Sequence, residues 1–492
     1  MRRKNHLIGR CITAGRLLSS FTFLLFSKKG ARGVCFLLLL LSLSFFANAK
    51  RIVCVGASIT EGARTTDPKV DSYPAQLGKL LGKGYEVINC GVAGSTMLRK
   101  GNYPYWNTDA YQKALESKPD IVFIDLGGND AKAINRPYYD EIQQDARGMI
   151  RSFKELSSKP RVILLLPTAF FEKDTMQIWD PVSKNGVAPK LKKAAYEENI
   201  EVLDMHPLLI DRPDLIPDGI HPEDEGSAII ARRLYEQVVQ LSDKRFDIFS
   251  KLPQPFQVEE LAGYDCATFR MHGRECKVIK PKTTGPGKPW IWRARFWWHE
   301  PQTDIALLER GFHVVYCDVS ELMGNPEALS IWSDFYDMLI KCGLSKQSAM
   351  EGMSRGAMYV FCWAAANPDK VNVVYIDNAL LDCRYLADRE AGQMTHDFME
   401  AYNIAKQEDI HNFKGSPMDK IEEIVKGKYP ILVLCADEDE AVDPETQTLL
   451  FEKKIKEQGG EITVMMKHGF KHHPHSFPNP APIVEFILNA TK

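Results

Sequence analysis

Short apolar segments alternate with amphipathic segments along this 492-residue chain, and that alternation limits the folds it can adopt. In the first half the apolar segments are rich in β-branched residues or leucine, as in strands buried on both faces. Strands that alternate with helices in this way form a parallel sheet between helical layers. We predict an α/β fold with strands at Arg51–Gly56, Tyr85–Cys90, Ile121–Leu126, Arg161–Leu166 and Glu201–Asp204, and helices around Tyr73–Leu81, Tyr138–Leu156, Ala188–Asn199 and Glu223–Leu241.

The first 49 residues differ in composition from the rest of the chain. They contain eight Lys and Arg and no Asp or Glu, and an apolar run, 34–46, precedes Ala47-Asn48-Ala49. This order is typical of a secretory signal peptide, and the run is short for a membrane span. Removing the eight positive charges takes the formal net charge from −2 to −10, which disfavours binding to nucleic acid. We predict a signal peptide at 1–49, a secreted or periplasmic protein, and no membrane attachment after cleavage.

A serine follows the first predicted strand. Ser58 lies in the stretch Val53–Thr60, at the carboxyl edge of the sheet, where open α/β folds bind ligands. Alone this is a weak signal, because such serines often cap the next helix. Three later motifs accompany it in the chain: Gly91-Val92-Ala93-Gly94, Gly127-Gly128-Asn129-Asp130 and Asp218-Gly219-Ile220-His221-Pro222.

In this order the four motifs resemble the SGNH, or GDSL-type, esterases and lipases. The resemblance implies a flavodoxin-like three-layer α/β/α fold for residues 50–245. Ala57 departs from the family pattern, which usually has aspartate there. Two further stretches, Asp71–Leu77 and Pro104-Tyr105-Trp106, look like those of carbohydrate acetyl esterases in the same superfamily.

Ester hydrolysis by a serine needs a nucleophile, a base, an orienting acid and an oxyanion hole. We predict Ser58 as the nucleophile, His221 as the base and Asp218 as the acid, since a spacing of three residues in a turn lets both side chains face one way. The predicted oxyanion donors are the Ser58 and Gly94 amides and the Asn129 side chain. Taken singly, Asp218 is better explained by an Asx turn, Gly94 by a plain turn and Asn129 by a helix cap. Taken together and in the family's order, the three are better explained as parts of one site.

The pattern loosens after Leu241, and prolines at 253 and 255 break any helix. We place a linker at 246–263 and a second domain at 264–492, with a helical cap at about 378–428. The predicted elements of this domain are a hairpin of Thr268–Met271 with Glu275–Lys280, strands at Trp290–Phe296, Phe312–Asp318, Ser348–Gly352, Tyr429–Cys435 and Ile462–Lys467, and helices at Thr303–Arg310, Pro326–Cys342 and Ala357–Asn367.

The sequence Gly352-Met353-Ser354-Arg355-Gly356 lies between a predicted strand and a predicted helix. This G-x-S-x-G context resembles the α/β-hydrolases, in which serine, acid and histidine follow in that order. The resemblance implies Ser354 as the nucleophile and the Arg355 amide as one oxyanion donor. The second donor, from the loop after 290–296, stays unassigned.

The acid and the histidine of this second site each have alternatives. The family pattern G-x-x-D-x-x-V implies Asp439, although Asp437 lies two residues away and Ala436 replaces the glycine. The candidates for the histidine are His468, His472, His473 and His475. The loop after the last predicted strand favours His472, with His473 as the second choice and His475 as a further alternative.

The cysteines predict neither a redox site nor a zinc site, because no C-x-x-C occurs. Cysteines in predicted strands are expected to be buried free thiols: Cys54, Cys90, Cys317 and Cys435. Cys266 and Cys276 flank a turn and either pair or stay free. The clustered histidines at 472–475 lack a neighbouring carboxylate cluster, so we predict no metal site and no cofactor.

We interpret the chain as a secreted two-domain serine esterase that removes O-acetyl groups from an acylated polysaccharide or glycan. The second domain would remove acetyl, feruloyl or methyl-uronate esters. Arg355 is similar to the arginine after the nucleophile of glucuronoyl esterases, whose following lysine is absent here. The alternatives are one catalytic domain with a glycan-binding scaffold, a peptidase as the second domain, and a sialate O-acetylesterase. The sequence leaves the sugar, the acyl group and the oligomeric state open.

Overall fold

A computed structural model of the chain describes residues 49–491. The predicted signal peptide therefore lies, apart from Ala49, outside the described residues. None of the helices in this part of the chain has the length and apolar character needed to cross a bilayer.

The first domain contains a five-stranded parallel sheet, in the order β2-β1-β3-β4-β5. Its strands are β1 (Lys50–Gly56), β2 (Tyr85–Gly91), β3 (Ile121–Asp125), β4 (Arg161–Leu166) and β5 (Glu201–Asp204). Its helices are α1 (Ser58–Glu61), α2 (Pro68–Asp71), α3 (Tyr73–Leu81), α4 (Asp109–Glu116), α5 (Ile142–Lys154), α6 (Asp180–Val182), α7 (Ala188–Glu197) and α8 (Asp224–Val239).

Both faces of this sheet are covered, because successive residues of a strand point to opposite sides. Val53 of β1 lies in one apolar core with Phe153 of α5. Its neighbour Cys54 lies in a second core with Leu234 of α8. The predicted three-layer α/β/α arrangement is confirmed.

The second domain contains a nine-stranded sheet, in the order β14-β13-β12-β11-β9-β10-β8-β7-β6. The strands from β14 to β10 are parallel, whereas β8, β7 and β6 continue the sheet antiparallel. They are β6 (Gln257–Leu261), β7 (Tyr264–Met271), β8 (Arg274–Lys280), β9 (Trp290–Ala294), β10 (His313–Cys317), β11 (Ser348–Met353), β12 (Val371–Asp377), β13 (Ile431–Ala436) and β14 (Ile462–Lys467). The second α/β domain is confirmed.

Helices flank this second sheet and fill the predicted cap. Those beside the sheet are α9 (Gln302–Leu308), α10 (Pro326–Lys341), α11 (Gly356–Ala366), α14 (Leu450–Glu457) and α15 (Ala481–Ala490). Between β12 and β13, where the cap was predicted, lie α12 (Gln393–Ala401), α13 (Ile421–Lys426) and several short 3₁₀ turns.

The segment interpreted as a linker, 246–263, contains β6 and contributes residues to the apolar core of the second domain. Ile248 and Leu252 are buried there, and β6 pairs with β7. The sequence Gln-Val-Glu-Glu-Leu gave no apolar signal because β6 is the edge strand and is largely exposed. Part of the expected linker, including β6, is therefore packed against the second domain.

All nine cysteines of the described residues are buried free thiols, which confirms the expectation for those in strands. The alternative of a Cys266–Cys276 disulfide is wrong for this structure. Cys266 lies opposite Ile279 and Cys276 lies opposite Phe269. The two thiols also belong to different cores, on opposite faces of the sheet, so they cannot meet.

Two candidate active sites

The first candidate site is a hydrogen-bonded chain of three side chains at the carboxyl edge of the first sheet. Ser58 begins α1 directly after β1, and its Oγ lies 2.9 Å from Nε2 of His221. Nδ1 of His221 lies 2.8 Å from Oδ2 of Asp218. The structure therefore brings together the three residues predicted as nucleophile, base and acid.

Asp218 is held as a carboxylate. Burial opposes its ionisation, but hydrogen bonds from the amide and ring of His221 and from the Ile220 amide outweigh burial and lower its pKa well below the usual range. Those amides lie 2.7 and 2.9 Å from Oδ1. Arg64 donates to the other oxygen at 3.0 Å. A fixed carboxylate keeps a proton on Nδ1 and leaves Nε2 to accept the serine proton.

The predicted oxyanion donors come from two loops that contact each other. Gly94 has φ +81°, a conformation that strongly favours glycine. The Asn129 side chain donates to the carbonyl of Ser95 at 3.2 Å and is 4% exposed. Because an amide has two hydrogens, this contact leaves a second N–H for a ligand oxygen. Asn129 also lines the small pocket at Ser58, whose apolar walls include Phe170 and Ile178.

Two aspartates that the sequence reasoning did not assign support this site. Asp130 accepts from the amides of Met97 and Leu98 at 2.9 and 2.8 Å and so fixes the loop that follows Gly94. Asp125 ends β3 and accepts from Thr60 at 3.0 Å. Burial raises the pKa of each carboxyl to about 6. Asp130 belongs to the motif that carries Asn129, which was the available sequence signal.

The second candidate site is centred on Ser354, on a sharp turn between β11 and α11. Ser354 has φ +48°, a strained conformation for a residue with a side chain. The flanking glycines permit the turn: a Cβ on Gly352 would lie 2.7 Å from the backbone carbon of Gly356. This is the strand–turn–helix context expected for a nucleophilic serine.

Ser354 meets the histidine and the acid preferred from the sequence. Its Oγ lies 3.1 Å from Nε2 of His472, and Nδ1 of His472 lies 2.7 Å from Oδ2 of Asp439. Oδ1 of Asp439 accepts the amides of Ala441 and Val442 at 2.9 and 2.8 Å. Burial opposes ionisation of Asp439, yet the His472 ring and these amides lower its pKa below the usual value.

The alternative residues lie elsewhere. Asp437 contacts His468 at 2.9 Å on the exposed side of the loop. His475 is buried with Nδ1 3.3 Å from Oδ1 of Asp377, and His473 is exposed. None of these contacts joins an alternative histidine to Ser354. The fold of the two loops therefore places His472 rather than His473 or His475 against Ser354, and Asp439 rather than Asp437 against His472.

The predicted oxyanion donor of this site, the Arg355 amide, lies where α11 begins. Helix N-termini favour negative charge. Opposite lies the loop after β9, in which Arg295, Phe296, Trp298 and Glu300 all have positive φ. Such conformations in residues with side chains are uncommon and cannot be recognised in a sequence. The second donor remains unassigned within this loop.

Buried charges hold that loop in place. The Arg293 guanidinium, 2% exposed, pairs with Asp304 and with Glu351 and donates to the carbonyl of His299. Desolvation would lower the pKa of Arg293, but the two carboxylates raise it, so the group stays charged. This network was not assigned from the sequence, because its members come from β9, α9 and β11.

The carboxyl edges of the two sheets border one interdomain cleft. Pro167 and His206, which follow β4 and β5, line it from the first domain. Glu300 and His475, which follow β9 and β14, line it from the second. The cleft itself is lined by residues of neighbouring loops and by none of the six triad residues.

The fold and the two serine–histidine–aspartate arrangements define a chain of two α/β hydrolase-type domains. Residues 54–229 match the GDSL-like Lipase/Acylhydrolase family. Residues 336–489 match the Prolyl oligopeptidase family. The two families suggested by the sequence motifs, SGNH and α/β-hydrolase, are confirmed.

Several known proteins are similar to this chain. It is 35% identical over 202 residues to an acetylxylan esterase of Xylanibacter ruminicola, a match that covers 37% of this chain and 42% of that protein. The chain thus spans less than half the length of this relative. Among solved structures, Est24, a carbohydrate acetylesterase from Sinorhizobium meliloti, is 19% identical, with a TM-score of 0.33, and covers 38% of this chain and 98% of its own. Est1E from Butyrivibrio proteoclasticus is 18% identical, with a TM-score of 0.36, and covers 46% and 98%.

Proposed function

We propose that the protein is a serine carbohydrate esterase with two active sites, the first of which removes O-acetyl groups from a polysaccharide. The observation that carries this proposal is the chain Ser58–His221–Asp218, with contacts of 2.9 and 2.8 Å, in which Ser58 shares a small pocket with Asn129. The likeness to an acetylxylan esterase supports acetylated xylan as the substrate class. The small, partly apolar pocket at Ser58 suits an acetyl methyl group.

The chemistry follows from the positions of the donors and acceptors. Nε2 of His221 takes the Ser58 proton as Oγ attacks the ester carbonyl, and Asp218 stabilises the imidazolium that forms. The amides of Ser58 and Gly94 and the Asn129 side chain stabilise the negative oxygen of the tetrahedral intermediate. His221 then protonates the departing sugar hydroxyl, and water releases acetate from the acyl-enzyme by the same steps in reverse.

The second site would run the same acyl transfer with Ser354, His472 and Asp439. Its acyl group remains one of three classes: acetyl, feruloyl or methyl-uronate. Arg355 supports the uronate class, since its guanidinium follows the nucleophile and is partly exposed beside Phe296. The Arg355 guanidinium can donate hydrogen bonds to the oxygens of a uronate ester and pair with the carboxylate that its hydrolysis produces.

A peptidase is the second candidate for this domain, favoured by its match to the Prolyl oligopeptidase family. Peptide and ester hydrolysis use the same triad, so the substrate decides between them. The remaining alternative keeps one domain catalytic and makes the other a glycan-holding scaffold.

The test compares the full chain with Ser58→Ala, Ser354→Ala and the double variant. Substrates are acetylated xylan, acetylated xyloglucan, acetylated pectin, O-acetyl sialic acid, a feruloyl ester, a methyl-uronate ester and an aminoacyl arylamide. We expect Ser58→Ala to abolish acetate release from a polysaccharide and Ser354→Ala to abolish a different activity. Undiminished acetate release by the double variant would refute the proposal. Loss of every activity on one substitution would favour the scaffold alternative.

We further propose export through cleavage after Ala49, on the basis of the basic and apolar leader. N-terminal sequencing of the mature protein from the producing cell is expected to begin at Lys50. An intact leader on protein recovered from the cytoplasm would contradict this.

A further inference from the structure

Three imidazoles meet beside the second site, and none of them takes part in the triad. His299 follows β9, whereas His473 and His475 follow β14, so the cluster joins loops that are far apart in sequence. One ring nitrogen of each lies within 4.8 Å of one ring nitrogen of each of the others. The histidines at 468–475 are close in sequence, whereas their third partner, His299, lies more than 160 residues earlier and gives no local signal.

The spacing of the rings is that of ligands around one ion. The ring centroids are 4.9 Å apart for His473 and His475, 5.8 Å for His299 and His475, and 5.9 Å for His299 and His473. Three imidazoles bound to one tetrahedral zinc at about 2.0–2.1 Å have centroids roughly 5 Å apart. Their planes are 81–90° apart, so the rings do not stack on one another.

His475 is oriented as metal-bound histidines commonly are. It is 3% exposed, and its Nδ1 lies 3.3 Å from Oδ1 of Asp377. A carboxylate on one ring nitrogen fixes the tautomer and directs the lone pair of the other toward a ligand. Asp377 is itself held by the buried ammonium of Lys467 at 2.7 Å, so it can act as a fixed acceptor.

The other two histidines leave the cluster open to solvent. Both His299 and His473 are exposed, so an ion can reach the cluster and the rings can turn toward it. The His299 backbone is anchored by Arg293, which donates to its carbonyl. His472 is excluded as a ligand because both of its nitrogens are engaged, with Ser354 and Asp439.

We propose that His299, His473 and His475 form a binding site for a divalent transition-metal ion of the zinc class. Neutral imidazole suits zinc, copper, nickel and cobalt, whereas magnesium and calcium prefer oxygen ligands. Water completes the coordination of three protein ligands. The site is separate from the triad of the second domain but adjoins it, since the His472 ring centroid lies 5.0 Å from that of His475.

The test is titration of the full chain, free of any histidine tag, with Zn²⁺ by calorimetry and with Co²⁺ by visible absorption. The wild-type protein is expected to bind one ion at this site and to give the strong absorption of four-coordinate cobalt. His299→Ala and His473→Ala should each weaken that binding at least tenfold. Both residues are exposed, so these variants are expected to fold.

Matched controls separate this site from general binding to surface histidines. His468→Ala and His411→Ala remove exposed histidines that contact Asp437 and Asp388, and should leave the affinity unchanged. His472→Ala should also retain the ion. Absence of binding in the wild-type protein, equal affinity in His299→Ala, or loss of the ion on His472→Ala alone would each overturn the proposal, with or without esterase activity.

Discussion

Both catalytic histidine candidates engage their two ring nitrogens in the same way. Nδ1 contacts an aspartate whose other oxygen accepts two backbone amides, and Nε2 contacts a serine. The amides hold each carboxylate in one orientation, so the imidazole is held in one tautomer. The two sites therefore share one arrangement of serine, histidine and aspartate. In the first site the aspartate and the histidine lie in a four-residue turn, whereas in the second they are 33 residues apart.

Asp439 and Asp437 form a natural pair for testing the second site. Asp439→Asn should lower kcat about 10⁴-fold, because the amide favours the wrong histidine tautomer. Asp437→Asn should leave kcat within a few fold, since Asp437 contacts exposed His468. Steady-state kinetics on whichever substrate depends on Ser354 measures both. Equal losses in the two variants would show that the acid is assigned wrongly.

Asn129 tests the oxyanion hole of the first site. Asn129→Ala should reduce kcat for deacetylation by about 10²–10³-fold with a much smaller change in KM, since the donor acts on charge that develops in the transition state. The activity that depends on Ser354 serves as an internal control and should not change. An effect confined to KM would place Asn129 in substrate binding instead.

Residues within compact motifs could be assigned from the sequence, and residues brought together by the fold could not. Asp218 and His221 lie three positions apart, so a turn suffices to align them. His299 joins His473 and His475 only because β9 and β14 end at the same edge of the sheet. No local pattern indicates such a contact.

At the scale of elements, close approach of a helix to a strand positions Ser354. A methyl group on Gly352 would overlap the backbone of Gly356, which opens α11. Gly352→Ala should destabilise the protein by about 1–3 kcal/mol, as for other overpacked sites, and should lower the activity that depends on Ser354. Gly392→Ala is the matched control in the same domain, because no atom lies within 4 Å of its added Cβ. The free energy of unfolding from chemical denaturation and the kcat of both variants test this expectation. Equal stability of the two variants would contradict the packing argument.

Strand β10 carries a buried histidine that should make the second domain sensitive to acid. Burial lowers the pKa of His313 to about 4, and its Nδ1 donates to the carbonyl of Pro289 at 3.3 Å. In the unfolded chain the pKa is about 6.5, so only the unfolded state gains this proton as the pH falls from about 6.5 to 4. Stability is therefore lost over that window, by about 2–3 kcal/mol between pH 7 and 4.5.

His313→Phe removes this titration while keeping a ring of similar shape against Phe246. Urea unfolding at pH 7 and pH 4.5 should show a smaller loss of stability in the variant than in the wild-type protein. The same pH dependence in both would mean that His313 does not contribute to the acid sensitivity.

Most of the strands were predictable, but β6 and β12 were not. Strands buried on both faces, such as Arg161–Leu166, have bounds that match the prediction because their composition is uniformly apolar. Edge strand β6 was missed because its exposed glutamates resemble a loop. Strand β12 is buried but was missed as well, since Asn372 interrupts its apolar run, so burial on both faces does not by itself make a strand recognisable.

At the scale of the whole molecule, the two domains are joined by more than the chain connection. Glu309, on the second domain, accepts the amide of Asp204 at 2.7 Å and the guanidinium of Arg233 at 2.8 Å. The side chains of Arg233 and Glu309 are only 4% and 5% exposed. A fixed interface of this kind holds the cleft between the two domains in one shape.

This ion pair gives a test of how tightly the domains are joined. Removing one partner leaves a buried charge without compensation, so Glu309→Leu should destabilise the protein by about 3–5 kcal/mol. Replacing both, as in Arg233→Met with Glu309→Leu, should recover much of that loss, because two apolar side chains can pack where the pair was buried. Differential scanning calorimetry of the single and double variants measures the coupling. Glu422→Gln is the control, since Glu422 is 69% exposed and losing its pairing with Lys426 should leave the stability nearly unchanged. Purely additive effects of the Arg233 and Glu309 substitutions would mean that the pair does not hold the two domains together, and the shared cleft would then depend on the remaining contacts of the interface.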